Sequence, residues 1–320
     1  MKTTPTFPPK WEDFLRSFTD RLSKTKSSLP CIRCLTKGTL IHLFKEIQKD
    51  LALPSTYPSG TKIIEHLISM GLATKVPVEE TARPIPSKEL FVIGIFGSHN
   101  LEIDPLEMMQ AYNLKGVICF FSALAHLNLT TQIPVHNHIA SLIPKKIVDI
   151  ARLTSVNDWA APTDVSKTRS KMGTPIFSYQ NVPIYSTKRI INSIPGIKSR
   201  ILSPWAIIRM TTIEQTLLDT LQYPLQCGGP EVVFEAWGKK IRNLRDDLIL
   251  EYLKIINIPP LTRRLGAILD LFNHRPISEL YAYLEESRSN IFIQPEVPEI
   301  PILKGMFFSR LNSSWNVLIP

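Results

Sequence analysis

The stretch TTIEQTLLDTLQYPLQCGGPEVVFEAWGKK, residues 211–240, predicts two helices joined by a tight loop. Thr211 and Glu214 stand at the spacing of a capping box, in which each side chain binds a free backbone N–H. Apolar residues then recur at helical spacing until a proline ends the helix. The double glycine at 228–229 permits a turn that side chains would forbid. The stretch therefore predicts a helical hairpin, and it contains no catalytic motif.

The regions that flank this hairpin predict a domain of mixed α and β structure. Residues 104–205 combine one buried helix, in GVICFFSALAHLNL, with strand-like runs separated by turn residues. The C-terminal third returns to helices and closes on a strand in SSWNVLIP. Its helices are expected at about 212–222, 230–241, 246–257, 260–272 and 277–288.

The N-terminal part has the element order of a winged helix. Three amphipathic patterns, WEDFLRSFTDRL, TKGTLIHLFKEIQKDL and GTKIIEHLISMGLA, precede two strand-like runs, LATKVPV and ELFVIGIF. The predicted fold class is therefore α+β. It has an N-terminal winged helix-turn-helix, followed by a larger mixed α/β domain that ends in a helical C-terminal part. The predicted domains are residues 1–98 and 99–320.

A winged helix binds DNA by placing its third helix in the major groove, while the loop between its strands contacts the backbone. Basic side chains there contact phosphates, and polar side chains reach base edges. Glu65 in the third helix opposes this role because it repels phosphate. The candidate DNA-binding residues are Thr61, Lys62, His66 and Ser69 of the third helix and Lys75, Arg83 and Lys88 of the wing.

Composition indicates a globular protein with an anionic partner for one of its parts. The 320-residue chain has 44% hydrophobic and 20% charged residues and a net charge of +9. Residues 145–200 carry ten basic side chains against three aspartates. Four cysteines and no apolar leader favour the cytoplasm, and no apolar run is long enough to span a membrane.

The sequence provides no complete metal, redox or catalytic motif. Cys31 and Cys34 form a CxxC without a second pair of ligands, and His136 and His138 have no evident connection to it. FGSHNLEID superficially resembles a nucleotidyltransferase signature, but its carboxylates are too closely spaced. We instead expect Asp104 to cap a helix at Pro105. The chain is thus predicted to be a non-enzyme without metal or cofactor.

Three motifs resemble the AbiEi family of antitoxins and transcriptional regulators of type IV toxin–antitoxin systems. The first is the opening stretch, the second is LTRRLGAILDLF, and the third is GVICFFSALAHLNLTTQIP. The matching positions are Glu214, Thr216, Leu217, Leu218, Asp219, Pro224, Gly228, Gly229, Arg263, Arg264, Leu265, Gly266, Ser122, Ala123, Leu124, Leu129, Thr130 and Gln132.

The resemblance implies a bifunctional protein with two domains. The winged helix is expected to bind double-stranded DNA at its own promoter and to repress the operon. The C-terminal domain is expected to counteract a nucleotidyltransferase-like toxin, a phage-defence component, without a stable complex. The basic stretch is expected to assist DNA binding through Lys167, Arg169 and Lys171.

Two other functions remain open at this point. One is a protein-interaction module that has the same fold and has lost operator binding. The other is an enzyme of nucleotidyltransferase type, which would use Glu102 and Asp104.

Overall fold

The computed structural model confirms a mixed α+β protein. Its described residues divide into two compact units. The first lies within Met1–Lys115, Phe177–Asn181 and Ser199–Ile208, and the second within Gly116–Ile176, Val182–Lys198 and Arg209–Pro320. The residues that the structure describes are 8–23, 29–80, 88–94, 102–144, 172–293, 297–304 and 306–320.

The first unit combines helices with a small antiparallel sheet. Its strand order is β1-β4-β2, and Val92 of β4 pairs with both Cys34 and Thr74. The helices are α1 (Trp11–Leu22), α2 (Lys37–Asp50), α3 (Gly60–Ser69) and α4 (Pro105–Tyr112). The strands are β1 (Cys34–Thr36), β2 (Ala73–Lys75), β3 (Glu79–Glu80) and β4 (Leu90–Ile93).

Local sequence signals explain where the helices of the first unit begin and end. Thr36 caps α2 by accepting from the backbone N–H of Thr39 at 3.1 Å. Asp104 caps α4 in the predicted way, accepting from the N–H of Leu106 at 2.8 Å. Gly71 follows α3 with φ +70°, a conformation that favours glycine.

An aromatic core holds the helices of the first unit together. Phe14 of α1 lies 5.6 Å from Phe44 of α2, measured between ring centroids, and 5.4 Å from Trp11. Ile63 and Leu67 place the inner face of α3 in the same core. This packing fixes which face of α3 remains outside.

A mixed sheet of seven strands has the strand order β3-β7-β8-β6-β5-β10-β9. β6 runs parallel to β8 and antiparallel to β5, which in turn runs parallel to β10. The strands are β5 (Val117–Ile118), β6 (Asn137–Ile143), β7 (Thr174–Tyr179), β8 (Val182–Ile190), β9 (Ile197–Ser203) and β10 (Ala206–Thr211).

Six helices and a C-terminal sheet complete the second unit as far as it is described. The sheet has the order β11-β13-β12. The helices are α5 (Phe120–His126), α6 (Ile213–Gln222), α7 (Pro230–Lys240), α8 (Asp246–Ile256), α9 (Pro259–Leu271) and α10 (Ser278–Ile293). The strands are β11 (Ile300–Pro301), β12 (Arg310–Asn312) and β13 (Val317–Ile319).

The predicted hairpin of residues 211–240 forms, but its first cap lies one residue later than expected. Thr212, not Thr211, caps α6 by accepting from the N–H of Gln215 at 3.3 Å. Thr211 instead bonds through its hydroxyl to Thr216 inside the unit. The glycines at 228–229 have φ near +95°, so the turn uses their conformational freedom as predicted.

Two buried arginines of α9 hold the C-terminal sheet in place. Arg263 donates to the carbonyl oxygens of Trp315 at 2.9 Å and Pro298 at 2.8 Å. Arg264 donates to the carbonyl oxygen of Pro301 at 2.8 Å. Carbonyl groups at the ends of short strands lack ladder partners, and these guanidinium groups supply the missing donors.

In the described parts of the chain, no helix is long and apolar enough to cross a bilayer.

Candidate functional site

Helix α3 has one buried and one exposed face. Ile63, Ile64 and Leu67 are buried, whereas Thr61, Lys62, Glu65 and Ser69 are exposed. The exposed set contains three of the four predicted third-helix residues. Its polar groups can donate and accept hydrogen bonds, and Lys62 supplies a positive charge near the helix start.

His66, the fourth predicted residue of α3, packs against α1. Its ring lies edge-on to the Trp11 indole, with centroids 5.8 Å apart. The indole N–H of Trp11 also points at the sulfur of Met70, 3.4 Å away. His66 is half-buried as a result. It therefore contributes to the orientation of α3 as well as to its outer surface.

The two predicted wing lysines that the structure describes already have partners. Lys75 Nζ lies 2.5 Å from Oε1 of Glu89, whose other oxygen accepts from Lys37 at 3.0 Å. Hydrogen bonds from Lys75, opposed by burial and aided by Lys37, lower the pKa of Glu89. The carboxylate thus neutralises part of the charge next to β2.

Lys88 is held in a similar way. Its Nζ donates to the carbonyl oxygen of Tyr112 at 2.8 Å and lies 4.5 Å from the centroid of the Tyr112 ring. Partial burial lowers the pKa of Lys88. To contact a phosphate, both lysines would have to exchange a protein partner for a DNA partner.

Four of the predicted DNA-binding residues lie outside the described residues. They are Arg83, Lys167, Arg169 and Lys171, and the predicted domain boundary at 98/99 also falls there. The described part of the basic stretch includes Arg189, which is a buried residue of the second unit. Its charge is compensated inside the protein and is not available to a surface partner.

Arg189 and Asp219 form a bidentate ion pair in the interior of the second unit. The two Arg189 Nη atoms lie 2.6 and 2.8 Å from the two oxygens of Asp219, with side-chain exposures of 3% and 1%. Gln215 donates to the same carboxylate at 2.9 Å. Burial opposes the charge of Arg189, but the Asp219 carboxylate outweighs it and raises the pKa of the guanidinium.

The same interior contains two histidines in direct contact. His138 Nε2 lies 3.0 Å from Nδ1 of His136, and the His138 ring stacks on Tyr185 at 5.4 Å. Burial, assisted by His136, lowers the pKa of His138 to about 3. The pattern His-x-His at the start of a strand was the available signal, because alternate residues share a face.

The described residues contain no group of three or more side chains suited to hold a metal ion. Cys31 and Cys34 are free buried thiols. Burial, with a smaller contribution from the Glu107 carboxylate, raises the pKa of both. A thiol held in its neutral form is a poor nucleophile and a poor metal ligand.

The matched motif residues of the second unit are mostly scaffold. Asp219 belongs to the buried ion pair, and Leu217 and Leu218 are core residues. Thr130 donates through its hydroxyl to Glu235 at 2.5 Å, and the backbone N–H of Thr131 donates to the same carboxylate at 2.7 Å. These contacts fix the loop that follows α5 to α7.

No protein-family model and no curated protein matches the chain. Among solved structures, the chain is similar to the crystal structure of the RV2827C protein from Mycobacterium tuberculosis. The TM-score is 0.52 at 10% sequence identity, over 98% of this chain and 92% of that chain. At this identity the likeness describes the fold alone, and it extends over nearly the whole of both chains.

Proposed function

We propose that the chain is an antitoxin and transcriptional autorepressor of the AbiEi type, acting in the cytoplasm on its own promoter. Its winged helix would place α3 in the major groove. The observation that carries this proposal is the exposed polar face of α3, formed by Thr61, Lys62, Glu65 and Ser69. The order of three helices and an antiparallel β1-β4-β2 sheet supports it.

Within this proposal the exposed residues of α3 have different roles. Lys62 contacts a phosphate and supplies affinity, since its amino group is exposed at the start of α3. Thr61 and Ser69 carry hydroxyls that reach base edges or phosphates. His66 has a positioning role, because its ring packs on Trp11. Lys75 and Lys88 add less, because each has a protein partner.

The second unit carries the antitoxin activity in this proposal, against a nucleotidyltransferase-like toxin. Most residues that resemble the family motif, such as Asp219, are buried. Substituting them would therefore change stability first. Surface residues of the second unit are the ones expected to relieve toxicity, and this part of the proposal rests on the motif resemblance.

The test of DNA binding is a titration of the full chain with the duplex upstream of its own start codon. We expect tighter binding to this duplex than to a scrambled duplex of the same length. Lys62→Ala should weaken binding to both duplexes, since a phosphate contact carries no sequence information. Lys254→Ala, an exposed lysine of α8, is the matched control. Equal binding to both duplexes would contradict the autorepressor.

A protein-interaction module is the second candidate, and a specific observation favours it. Ile68 and Met70, at the end of α3, have exposures of 42% and 37%, so apolar surface borders the polar face. Glu65 is exposed on the same helix and repels phosphate. If Lys62→Ala and His66→Ala left DNA affinity unchanged, this second candidate would replace the first.

A further inference from the structure

A cleft of about 620 Å³ lies in the second unit, between the end of α9, the loop after it, and α10. Its volume falls within the range of small-molecule sites, roughly 300–1,000 Å³. Leu269, Leu284 and Trp315 form an apolar floor, and all three are buried. The cleft thus has a hydrophobic base that is large enough for a ring system.

The indole of Trp315 is held rigidly in the floor of this cleft. Its Nε1 donates to Oδ2 of Asp270 at 2.8 Å. Its ring packs against Gly266, where an added Cβ would lie 2.3 Å from a ring carbon. Because both contacts are made by the protein itself, this part of the floor does not need a ligand to form.

An aromatic ring and an available cation also line the cleft. Tyr281 lines it and is 54% exposed, so a ligand can reach its ring. Arg288 is paired with Glu285 at 2.7 Å, and His274 lies 3.3 Å from Asp246. Arg275, in contrast, is exposed and has no hydrogen bond or ion pair to the described residues.

We propose that this cleft binds a nucleotide. A planar base stacks on the Tyr281 ring above the apolar floor, and its phosphate pairs with Arg275. The Asp270 carboxylate accepts from an exocyclic amino group of the base. Base–aromatic stacking and guanidinium–phosphate pairing are interactions that proteins commonly use for this ligand class. This activity goes beyond promoter binding and does not depend on it.

A second cleft of the same unit, about 610 Å³ in volume, has no guanidinium group among its lining residues that is available to bind an anion. The guanidinium in its lining belongs to Arg263, which already donates to the carbonyl oxygens of Trp315, Pro298 and Asn316. Volume alone therefore does not distinguish the two clefts. The available arginine and the exposed aromatic ring in the lining of the first cleft do.

The experiment is calorimetric titration of the full chain with each of the four ribonucleoside monophosphates. Adenosine, which lacks the phosphate, and inorganic phosphate, which lacks the base, serve as half-ligands. A single-stranded trinucleotide represents single-stranded nucleic acid. We expect saturable binding of at least one monophosphate and weaker binding of both half-ligands. A monophosphate that binds as tightly as the trinucleotide identifies free nucleotide as the source. A trinucleotide that binds at least about tenfold more tightly identifies single-stranded nucleic acid.

Three variants assign the binding to the cleft. Tyr281→Ala should weaken binding about fivefold or more, because one base stack is lost, while Tyr281→Phe should retain it. Arg275→Ala should weaken binding of the monophosphate and leave binding of adenosine unchanged. Arg310→Ala, an exposed arginine of β12, is the control. Absence of saturable binding at millimolar concentrations, or binding that neither alanine variant weakens, would overturn the proposal.

Discussion

Replacing Asp219 with asparagine tests the buried ion pair of the second unit. The Asp219 carboxylate accepts two hydrogen bonds from Arg189, at 2.6 and 2.8 Å, and one from Gln215 at 2.9 Å. An asparagine keeps one acceptor oxygen and turns an NH₂ group toward donors that are nearly inaccessible to water. Asp219→Asn therefore leaves the Arg189 charge buried without compensation.

Loss of one partner of a buried pair costs about 3–5 kcal/mol of the free energy of unfolding. A domain of this size loses roughly 2–4 °C in Tm for each kcal/mol. We therefore expect the thermal midpoint of the second unit to fall by about 6 °C or more. Differential scanning calorimetry measures the thermal midpoint. Urea titration, monitored by circular dichroism, measures the free energy of unfolding.

Two further variants define what would refute this reasoning. Asp247→Asn breaks an exposed pair with Arg245, whose side chains are 56% and 59% exposed, and should leave the midpoint unchanged. The double variant Arg189→Met/Asp219→Leu should recover part of the loss, because no buried charge remains. The ion-pair account is wrong if Asp219→Asn lowers the free energy of unfolding by less than about 1 kcal/mol.

Three other predictions concern packing and pH. Gly266→Ala places a Cβ against the Trp315 ring and should cost about 1–3 kcal/mol in urea denaturation. Gly228→Ala forces a side chain to φ +95° and brings its Cβ to 2.9 Å from Val232, so we expect a loss of about 1–2 kcal/mol or more by the same assay. The folded pKa of His138, about 3, lies below its unfolded value of about 6.5, so the unfolded state binds the proton first. The contribution of His138 to the free energy of unfolding is complete above about pH 6.5 and is lost as the pH falls toward 3, with a slope of up to about 1.4 kcal/mol per pH unit. His138→Phe should reduce this slope, which urea titrations at pH 7, 6 and 5 measure.

The helices were predicted well from sequence because their signals are local. In residues 211–240, the spacing of the apolar residues and the turn formed by Pro224 and the two glycines at 228–229 are set by neighbours within a few residues. The cap of α6 was misplaced by one position because two threonines, Thr211 and Thr212, precede it. Either hydroxyl fits the pattern, and only packing decides between them.

The misses are contacts or elements that depend on distant residues. β1 spans only Cys34–Thr36 and exists because β4 pairs with it. The predicted buried helix of GVICFFSALAHLNL is divided into β5 and α5, since β5 joins the mixed sheet between β6 and β10. β9 was missed because the polar run Lys198–Arg200 interrupts its apolar residues and removes the alternation expected of a strand.

The polar interior shows most clearly what sequence reasoning leaves out. The charge of Arg189 was counted toward a basic surface, yet Asp219, 30 residues later, compensates it in the core. The contact between His136 and His138 was not expected either. The candidate residues on α3, in contrast, follow from helical periodicity, because Ile63, Ile64 and Leu67 define the buried face and leave Lys62 outside.

The most direct test of the central proposal is the salt dependence of binding to the upstream duplex. For a protein that contacts phosphates, the logarithm of the binding constant falls linearly with the logarithm of the salt concentration. The slope of this line is about 0.9 for each phosphate contact. We predict a measurable slope for the wild-type chain, a slope smaller by about one for Lys62→Ala, and an unchanged slope for Lys254→Ala. If Lys62→Ala and wild type have the same slope and the same affinity, α3 does not contact DNA.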